Sequence, residues 1–404
     1  MYETLLNRKN NINKDIIEFT KELVKTPSIS HEENSAAKLI ESKMKELEYD
    51  DVFIDEFGNA VGILYSRNPE KTLLLNCHMD TVKEEEGWTS SPYEARIEDN
   101  KLYGLGSSDC KGGIAAQIYA GAMLKKSLLP LEGNLIVAAT VAEENGRSIG
   151  VRGLIEKTLK DMNLSPLYAI LGEPTGLGLY YGHDGWAEFD ILLEGDDSSK
   201  VGNAARAIFE DYSSNGLTKE SPENWTIKEP VLANENGSSR AIIPINRRIH
   251  QSEKLGDVIG QMQHNATLLA QQAEGVAVDV MVRQENQVTY TGVTSVVRHI
   301  THAWAIDPFH PLMERSRQAL AAAGCKVQPG KFKLDRLGMG TAGSTLVEEL
   351  NIPTICYGPG SEDAAHTPNE YVNINNISEC AYGTASIVHS LIGIPVFGWT
   401  SDDI

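Results

Sequence analysis

A chain of 404 residues, 41% hydrophobic and 23% charged, has the composition of an ordinary globular protein and is long enough for two domains. The formal net charge of −20 argues against nucleic acid or an anionic membrane as a partner. No apolar run approaches the roughly 18 residues that a membrane-spanning helix needs. The first residues lack the basic stretch and apolar core of a signal peptide, so we expect a cytoplasmic protein.

The cysteines are scattered along the chain. They are odd in number and are never spaced as CxxC. This pattern argues against a disulfide framework and against a zinc site built from thiolates. The many carboxylates of the chain are left as ligands for a hard or borderline cation.

The first 184 residues alternate predicted helices and strands. Apolar residues keep a helical period from Ile16 to Val24, and Pro27 marks the end of this predicted helix. A second helical period runs from Ala36 to Leu47. We predict buried strands at 72–77, 135–141 and 167–171, shorter strands at 52–54 and 61–65, and a long helix at 111–126. Strands separated by helices predict an α/β fold with a mostly parallel sheet covered on both faces.

The pattern changes near Gly185 and changes back after Asp307. Between these points we predict strands at 187–193, 241–249, 276–282 and 288–300, and helices at 203–212 and 255–273. This order is typical of a small α+β sandwich, which we predict to be an insert of residues 185–305. The larger domain then comprises residues 1–184 and 306–404, with further elements at 311–323 (helix), 353–357 (strand) and 377–391 (helix).

Short motifs with side chains that could carry chemistry stand at the predicted strand ends. They are Cys77-His78-Met79-Asp80, Ser108-Asp109-Cys110-Lys111-Gly112-Gly113, Glu143-Glu144-Asn145, Gly172-Glu173-Pro174-Thr175 and Ala365-His366-Thr367-Pro368-Asn369-Glu370. A single His or Asp at a strand end more often forms a cap or a hydrogen bond than a functional site. Ligands gather at the carboxyl ends of parallel strands, so the set of motifs carries the prediction.

These side chains suit a borderline divalent cation, because imidazoles mixed with carboxylates are donors that zinc accepts. Asp80 lies two residues beyond His78, on the same side of an extended chain, and is placed to orient that imidazole through its other ring nitrogen. Glu143 and Glu144 would repel each other unless a cation or a proton intervenes. One of them acting as a ligand and the other as a general base would resolve the conflict.

In this order and at these distances, the motifs resemble the zinc aminoacylase and carboxypeptidase superfamily. Its members include acetylornithine deacetylases, succinyl-diaminopimelate desuccinylases, aminoacylases, glutamate carboxypeptidases and dipeptidases. The resemblance spans nearly the whole chain. It implies a phosphorylase/hydrolase-like catalytic domain and an inserted, ferredoxin-like α+β domain that serves as a lid or for dimerisation. It also implies an enzyme that hydrolyses the amide bond of an N-acyl amino acid or a short peptide, and a homodimer joined through the insert.

The resemblance further implies a site for two divalent ions, zinc in the first place and cobalt or manganese as alternatives. Position by position, the first ion takes His78, Asp109 and Glu173, and the second takes Asp109, Glu144 and His366. The Asp109 carboxylate bridges the two ions, and Glu143 is the general base. The peptide bond between Asp109 and Cys110 is expected to be cis, as is common in the family.

The chain departs from the family in the insert, where relatives carry a His that contacts the substrate carbonyl. Here the segment from Gly195 to Ala204 is shortened and contains no His. The loss of one such donor can lower a rate roughly a hundred- to thousandfold. Substitutes that the sequence leaves open are Ser198, Lys200, His183, His250, His264, His299 and His302, with a structural role the more common one for His183.

Other positions leave the substrate open. Ala342 stands where relatives commonly have Asp or Asn, and Arg247 or Arg248 could face a substrate carboxylate or form a surface ion pair. The Gly358-Pro359-Gly360 backbone is expected to line the pocket. Two alternatives remain: a homologue that keeps its metals but has lost efficient peptidase activity, and an enzyme for a non-peptide C–N bond. A nucleotide-binding enzyme is disfavoured, since neither GxGxxG nor GxxxxGK[ST] opens a helix.

Overall fold

Two hydrophobic cores organise the chain in a computed structural model that describes residues 1–66, 71–144, 147–215, 225–235, 238–326 and 340–394. The first core takes its side chains from residues 5–180 and 297–392. The second takes its side chains from residues 187–282, all of which lie inside the predicted insert.

The described helices are α1 (Tyr2–Lys25), α2 (Asn34–Glu46), α3 (Gly112–Lys126), α4 (Ile149–Gly153), α5 (Ser198–Asn215), α6 (Leu255–Ala270), α7 (Pro311–Ala322) and α8 (Ile374–Ile392). Short π-helical turns lie at Leu154–Leu159 and Ser344–Glu349. The described strands are β1 (Asp51–Ile54), β2 (Ala60–Leu64), β3 (Thr72–His78), β4 (Arg96–Glu98), β5 (Lys101–Tyr103), β6 (Asn134–Thr140), β7 (Tyr168–Leu171), β8 (Gly182–His183), β9 (Gly185–Gly195), β10 (Trp225–Ile227), β11 (Val231–Glu235), β12 (Ser238–Ile249), β13 (Ala277–Val282), β14 (Gln284–Val288), β15 (Thr294–Arg298), β16 (Ile300–Thr301), β17 (Trp304–Ala305), β18 (Thr354–Cys356) and β19 (Tyr371–Asn373).

The first core contains a sheet in the order β1-β2-β6-β3-β7-β18. Strands β6, β3, β7 and β18 are parallel to one another. At one edge of the sheet, β2 is antiparallel to β6 and β1 is antiparallel to β2. Every residue of β3 and β6 is buried. Because successive side chains of a strand point to opposite faces, this burial means that both faces of the central sheet are covered. The predicted α/β fold with a mostly parallel sheet is confirmed.

The second core lies on an antiparallel sheet in the order β10-β12-β9-β13, with β11 also paired to β12 and β16 to β9. Burial alternates along β9, where Ala187, Phe189, Ile191 and Leu193 point inward. The helices α5 and α6 pack against this face and against each other. The apolar residues of β9 alternate along the strand because the helices cover only one face of this sheet.

The predicted strand at 288–300 is confirmed only over β15, because residues 289–293 form the turn of the β14–β15 hairpin and the chain enters β16 at Ile300. The hairpin turn is closed by a hydrogen bond from the Thr289 N–H to the Val293 carbonyl, and Gly292 takes a φ of +92°. The run of β-branched residues favours extended backbone on both sides of the turn. The sequence pattern therefore gives no sign that the chain reverses direction here. The short strands β10, β11, β4, β5 and β19 were also not predicted.

The tip of this hairpin contacts the first core. The Tyr290 hydroxyl donates to the Gly58 carbonyl at 3.0 Å, and the Thr291 hydroxyl donates to the Glu56 carbonyl at 2.7 Å. These two hydrogen bonds fasten the hairpin to the larger part of the chain. No helix in the described parts of the chain is long and apolar enough to cross a membrane.

Candidate metal centre

His78 ends strand β3 and points its imidazole at the Asp109 carboxylate. The distance from His78 Nε2 to Asp109 Oδ1 is 3.1 Å. The other ring nitrogen, Nδ1, lies 2.9 Å from the backbone carbonyl oxygen of Asp80 and 3.6 Å from its carboxylate. The imidazole is therefore oriented mainly by the backbone of Asp80, where the sequence pointed to the side chain.

The Asp80 side chain is fully buried and has three other partners. It accepts hydrogen bonds from the Ser30 hydroxyl at 2.7 Å, the Glu143 N–H at 3.1 Å and the Glu144 N–H at 3.0 Å. Asp80 thus joins the end of β3 to the residues that follow β6. It holds the backbone of both glutamates, although it does not itself line the cavity of the site.

Asp109 stands on an irregular loop at Ser107–Lys111, and the peptide bond from Asp109 to Cys110 is cis, as expected. The loop is held from the other side of the site by Glu370. The Glu370 carboxylate accepts the N–H groups of Gly106 at 2.7 Å, Ser108 at 2.7 Å and Asp109 at 2.9 Å. These three bonds fix the backbone that presents the Asp109 carboxylate, a role for Glu370 that the sequence did not predict.

Glu143 and Glu144 follow strand β6 and diverge in their contacts. Glu144 Oε1 lies 2.9 Å from His366 Nε2, and the same ring nitrogen lies 3.4 Å from Asp109 Oδ2. Burial raises the pKa of Glu143 to about 8; His78 opposes the shift, and neighbouring carboxylates add to it. A carboxyl group whose pKa lies near neutrality is suited to accept and return a proton.

Glu173 follows strand β7 and is only 5% exposed. Burial raises its pKa well above the ordinary value, and the carboxylates of Asp109 and Glu143 contribute, while His78 lowers it. For Asp109, burial also opposes ionisation, yet hydrogen bonds from His366 and His78 hold the pKa of this carboxyl well below its usual range. Such crowding of acidic groups in a buried space is relieved when cations lie between them.

The donor atoms form two overlapping sets within the described residues. In each set all donor atoms lie within 4.8 Å of one another; the sets are His78, Asp109, Cys110 and Glu173, and Asp109, Glu144 and His366. Asp109 belongs to both sets, and its two carboxylate oxygens face different imidazoles. The nitrogen and oxygen donors fit two borderline divalent ions that share one carboxylate.

Cys110 was not predicted at this site, because isolated cysteines without a CxxC spacing argued against thiolate ligands. Burial raises the pKa of its thiol well above the ordinary value, and Cys77 adds to the shift. Only the deprotonated sulfur is a good metal ligand. The nitrogen and oxygen donors are therefore the better candidates.

A cavity of about 40 Å³ opens beside these donors, and Glu143 and all the predicted metal ligands line it. The insert reaches it through Ile300 and Thr301, and the C-terminal part of the chain contributes Thr341 and Ser344. Arg147 also lines the cavity and was missed by sequence reasoning. The sequence feature that could have indicated it is its position, three residues after Glu144.

Arg147 is held by three contacts. Its Nη2 donates to Glu188 Oε1 at 3.1 Å and to His299 Nδ1 at 3.2 Å, and its guanidinium carbon lies 4.3 Å from the centre of the Trp186 ring. Burial lowers the pKa of the guanidinium, and Glu188 opposes this shift. The site therefore contains a positioned cation on the side where the insert meets the larger domain.

His183 has the environment of a structural residue. Its Nδ1 lies 2.7 Å from the Asp184 carbonyl, and its Nε2 accepts the Trp304 indole N–H at 2.8 Å and the Thr341 N–H at 3.0 Å. Burial lowers its pKa to about 4. A neutral imidazole with both nitrogens occupied has no free donor for a substrate.

The remaining candidates lie outside the described cavity lining. Ser198, Lys200, His250 and His264 are in this group, as are His299, which lies 3.1 Å from Glu188, and His302, which lies 3.9 Å from Glu349. Arg247 is paired with Glu253 at 2.6 Å, and Arg248 lies 3.7 Å from Asp184, which favours the ion-pair interpretation of both. Ala342 is buried next to the lining residue Thr341.

The backbone at Gly358 and Gly360 packs behind the ligand loops and does not line the cavity, contrary to expectation. A Cβ atom on Gly358 would run into the backbone of Glu173, and one on Gly360 would run into the backbone of Ser108. These glycines let the loops that carry Glu173 and Asp109 approach each other.

Comparison with known proteins identifies the family. Residues 74–390 match the model of peptidase family M20/M25/M40. The chain belongs to this family. The M20/M25/M40 relatives include YgeY of Escherichia coli K12, a protein of undefined function that is 25% identical over 404 residues and 96% of each chain. The [LysW]-lysine hydrolase of Deinococcus radiodurans is 26% identical over 93% of this chain and 97% of its own length.

Solved structures share the fold. Human carnosine dipeptidase 1 superposes with a TM-score of 0.67 and 16% identity, covering 97% of this chain and 99% of its own. YXEP of Bacillus subtilis, a dinuclear metal-binding peptidase of the M20 family, gives a TM-score of 0.69 and 14% identity over 95% of this chain and 99% of its own. Family membership makes the chain a metal-dependent hydrolase of amide or peptide bonds.

Proposed function

We propose that this enzyme hydrolyses the amide bond of an N-acyl amino acid or a short peptide and uses two divalent ions, zinc in the first place and cobalt or manganese as alternatives. The observation that carries the proposal is the shared carboxylate. Asp109 places one oxygen 3.1 Å from His78 Nε2 and the other 3.4 Å from His366 Nε2. A carboxylate bridging two imidazole-bearing donor sets is the arrangement that a two-ion hydrolase needs.

In this proposal His78, Asp109 and Glu173 hold one ion, and Asp109, Glu144 and His366 hold the other. Two divalent ions held by these residues would lower the pKa of a water molecule and polarise the scissile carbonyl. Glu143 takes the proton of that water and passes it to the leaving amine. Glu143 lines the cavity but belongs to neither set of donor atoms, which supports this role over that of a ligand.

Asp80 and Glu370 act as positioning residues in the same scheme. Asp80 holds the backbone of Glu143 and Glu144, and Glu370 holds the backbone of Asp109. Both act from behind the side chains that face the cavity. Hydrogen bonds to the residues around a metal site typically change affinity or activity by about 10- to 100-fold when removed.

Arg147 is our candidate for the donor that relatives supply from the insert. It lines the cavity together with Glu143, and its guanidinium is held by Glu188 and His299. An N–H donor aimed at the scissile carbonyl stabilises the negative charge that develops on the oxygen. In this arrangement the insert contributes indirectly, because Glu188 and His299 hold the guanidinium in place.

The altered insert also favours a second candidate, an enzyme for a non-peptide C–N bond or one with weak peptidase activity. The observation is that the shortened segment from Gly195 to Ala204 places no described side chain in the cavity. The presence of Glu143 argues against a pure binding protein, since binding alone does not require a base. Turnover on acylated amino acids separates the two candidates.

We further propose a homodimer joined through the insert. Strand β13 forms an edge of the second sheet, and its Met281 is 41% exposed. An edge strand with exposed apolar side chains is stabilised by pairing with another strand. Light scattering at micromolar concentration should give the mass of two chains, and the mass of one chain would contradict the proposal.

The experiment that tests the function combines metal analysis with a hydrolysis screen. Protein purified without chelator is expected to contain about two divalent ions per chain. It is also expected to hydrolyse at least one of a panel of N-acetyl, N-succinyl and dipeptide substrates. Metal without turnover would move the proposal to the second candidate. Absence of metal, even after zinc is added, would overturn it.

A further inference from the structure

A second and larger cavity adjoins the metal cavity. Its volume is about 450 Å³, and it shares Arg147 and Ile300 with the lining of the smaller one. We call it the outer chamber and define it by Phe57, Arg147, Arg152, Lys157, Arg298 and Ile300. It lies where α4 and the π-helical turn after it face strand β15 of the hairpin.

The metal cavity is too small to hold a whole substrate. Its volume of about 40 Å³ corresponds to only a few water molecules, so it admits the scissile group and little more. The rest of an acylated amino acid has to extend beyond it. The outer chamber shares Arg147 and Ile300 with the metal cavity and has the volume for such an extension.

The charges in the outer chamber favour an anion. Arg147, Arg152, Lys157 and Arg298 face only two carboxylates in its lining, Glu156 and Glu349, although the chain as a whole carries a net charge of −20. A third cavity of about 490 Å³ also borders Arg147, but its lining contains the carboxylates of Glu188 and Glu285. The lining of the outer chamber therefore has more cations than carboxylates, whereas the lining of the third cavity has two carboxylates beside Arg147.

The cations of the outer chamber differ in their availability. Arg152 is paired with Glu349 at 2.7 Å, and Lys157 is paired with Asp161 at 2.6 Å. Among the described residues no carboxylate lies within ion-pair distance of Arg298. A guanidinium offers a fork of N–H donors that matches a carboxylate. Phe57 and Ile149 supply an apolar wall on which methylene groups can pack.

We propose that the outer chamber binds a carboxylate of the substrate that lies beyond the scissile amide, with Arg298 as the principal donor. This inference rests on the proposed function and narrows the substrate class to acylated amino acids or peptides with an additional acidic group. It assigns specificity to a residue of the β14–β15 hairpin. The apolar wall suits a short methylene chain between the amide and the carboxylate.

The experiment compares substrates with and without a distal carboxylate. The pairs are N-succinyl-L-alanine with N-acetyl-L-alanine, and N-acetyl-L-glutamate with N-acetyl-L-glutamine. In at least one pair the wild-type kcat/KM should be higher for the acidic member, and Arg298→Gln should lower this ratio by about tenfold or more. Arg298→Lys should lower the ratio less, because it keeps the charge but loses the fork. Arg206→Gln, an exposed arginine on α5, is the matched control and should keep the ratio.

Calorimetric binding of free succinate to the wild type and to Arg298→Gln gives a second measurement that does not depend on turnover. Weaker binding by the variant supports the chamber even if no substrate in the panel is cleaved, an outcome that would overturn only the proposed function. Equal kcat/KM for both members of each pair would overturn the chamber. Succinate binding that is indifferent to Arg298 would also overturn it. Hydrolysis of the neutral substrates would then still support the proposed function.

Discussion

The carboxylate of Asp80 accepts the backbone N–H of Glu143 at 3.1 Å, and its second oxygen accepts that of Glu144 at 3.0 Å. One buried side chain thus sets the positions of the proposed base and of a proposed ligand together. The bond ties the end of strand β3 to the end of strand β6, which are parallel neighbours in the sheet. The pairing of β3 with β6 therefore fixes where Asp80 holds the proposed base and the proposed ligand.

Replacement of Asp80 by Asn tests this positioning role. The amide nitrogen of Asn would present a donor to one of the two N–H groups, so one hydrogen bond is lost while the shape is kept. We expect kcat to fall by about 10- to 100-fold with a smaller change in KM. Unchanged kcat in a folded, metal-loaded variant would show that the backbone of the two glutamates is held without Asp80.

Replacement of Glu143 by Ala should remove activity and spare the metals. Because the residue is proposed as base and not as ligand, we expect metal content equal to that of the wild type and a loss of kcat of about 10²- to 10⁴-fold. Elemental analysis and steady-state kinetics measure the two quantities. Glu144→Ala is the paired control and should lose metal. If Glu143→Ala loses metal instead, the roles of the two residues have to be exchanged.

The shared position of Asp109 predicts unequal metal losses. Asp109→Ala removes a donor from both sets, whereas Glu173→Ala removes a donor from one set only. We expect Asp109→Ala to lower the affinity for both ions and Glu173→Ala to lower it mainly for one. Titration of the metal-free variants with zinc, followed by calorimetry, resolves the two sites. Equal effects of the two substitutions would argue against a bridging carboxylate.

Arg147 should affect catalysis more than substrate binding. If its guanidinium donates to the carbonyl oxygen as negative charge develops, Arg147→Gln should lower kcat by roughly a hundred- to thousandfold with little change in KM. Arg147→Lys should recover part of the rate, because it restores a positive donor. A rise in KM at constant kcat would instead assign Arg147 to ground-state binding.

The buried His183 predicts a loss of stability in mild acid. Burial lowers its pKa to about 4 in the folded protein, against a value near 6.5 in an unfolded chain. Between these values the unfolded state binds a proton that the folded state does not, so the free energy of unfolding falls as the pH drops. By pH 5 the loss from this residue amounts to about 2 kcal/mol.

Urea unfolding at pH 7.5 and pH 5 measures this effect. The difference between the two pH values should be smaller in His183→Gln, which does not titrate in this range. A proton NMR titration of the wild type provides an independent check, with one imidazole expected to stay neutral at pH 5. An imidazole population that is fully protonated at this pH would contradict the prediction.

That several proposed ligand residues lie close together could be predicted, because their positions depend on local sequence. His78, Glu144 and Glu173 follow apolar runs that become the neighbouring strands β3, β6 and β7, and parallel strands bring their carboxyl ends to one edge. The Asp109 and His366 loops lie outside these strands, and only the resemblance to a family assigned them.

The parts that sequence reasoning missed depend on contacts between distant segments. Arg147 reaches the cavity between the larger domain and the insert, and its partners Glu188 and His299 lie 41 and 152 positions away. Glu370 stands among polar residues and has no feature that distinguishes a ligand neighbour from a surface acid. The hairpin turn near Gly292 interrupts a run with strong strand preference, and the closing hydrogen bond decides the outcome.

The two residues that the hairpin tip contacts, Glu56 and Gly58, differ in how well they tolerate substitution. The Tyr290 and Thr291 hydroxyls bond to backbone carbonyls, so the side chain at Glu56 can change without loss of an acceptor. At Gly58 the φ is +99°, and a Cβ atom would run into the Tyr290 ring. A single added methyl group at this position would therefore push the hairpin outward. Strands β15 and β16 carry Arg298 and Thr301, which line the two cavities. A mutation of Gly58, which lines neither cavity, would therefore alter substrate selection through the position of the hairpin.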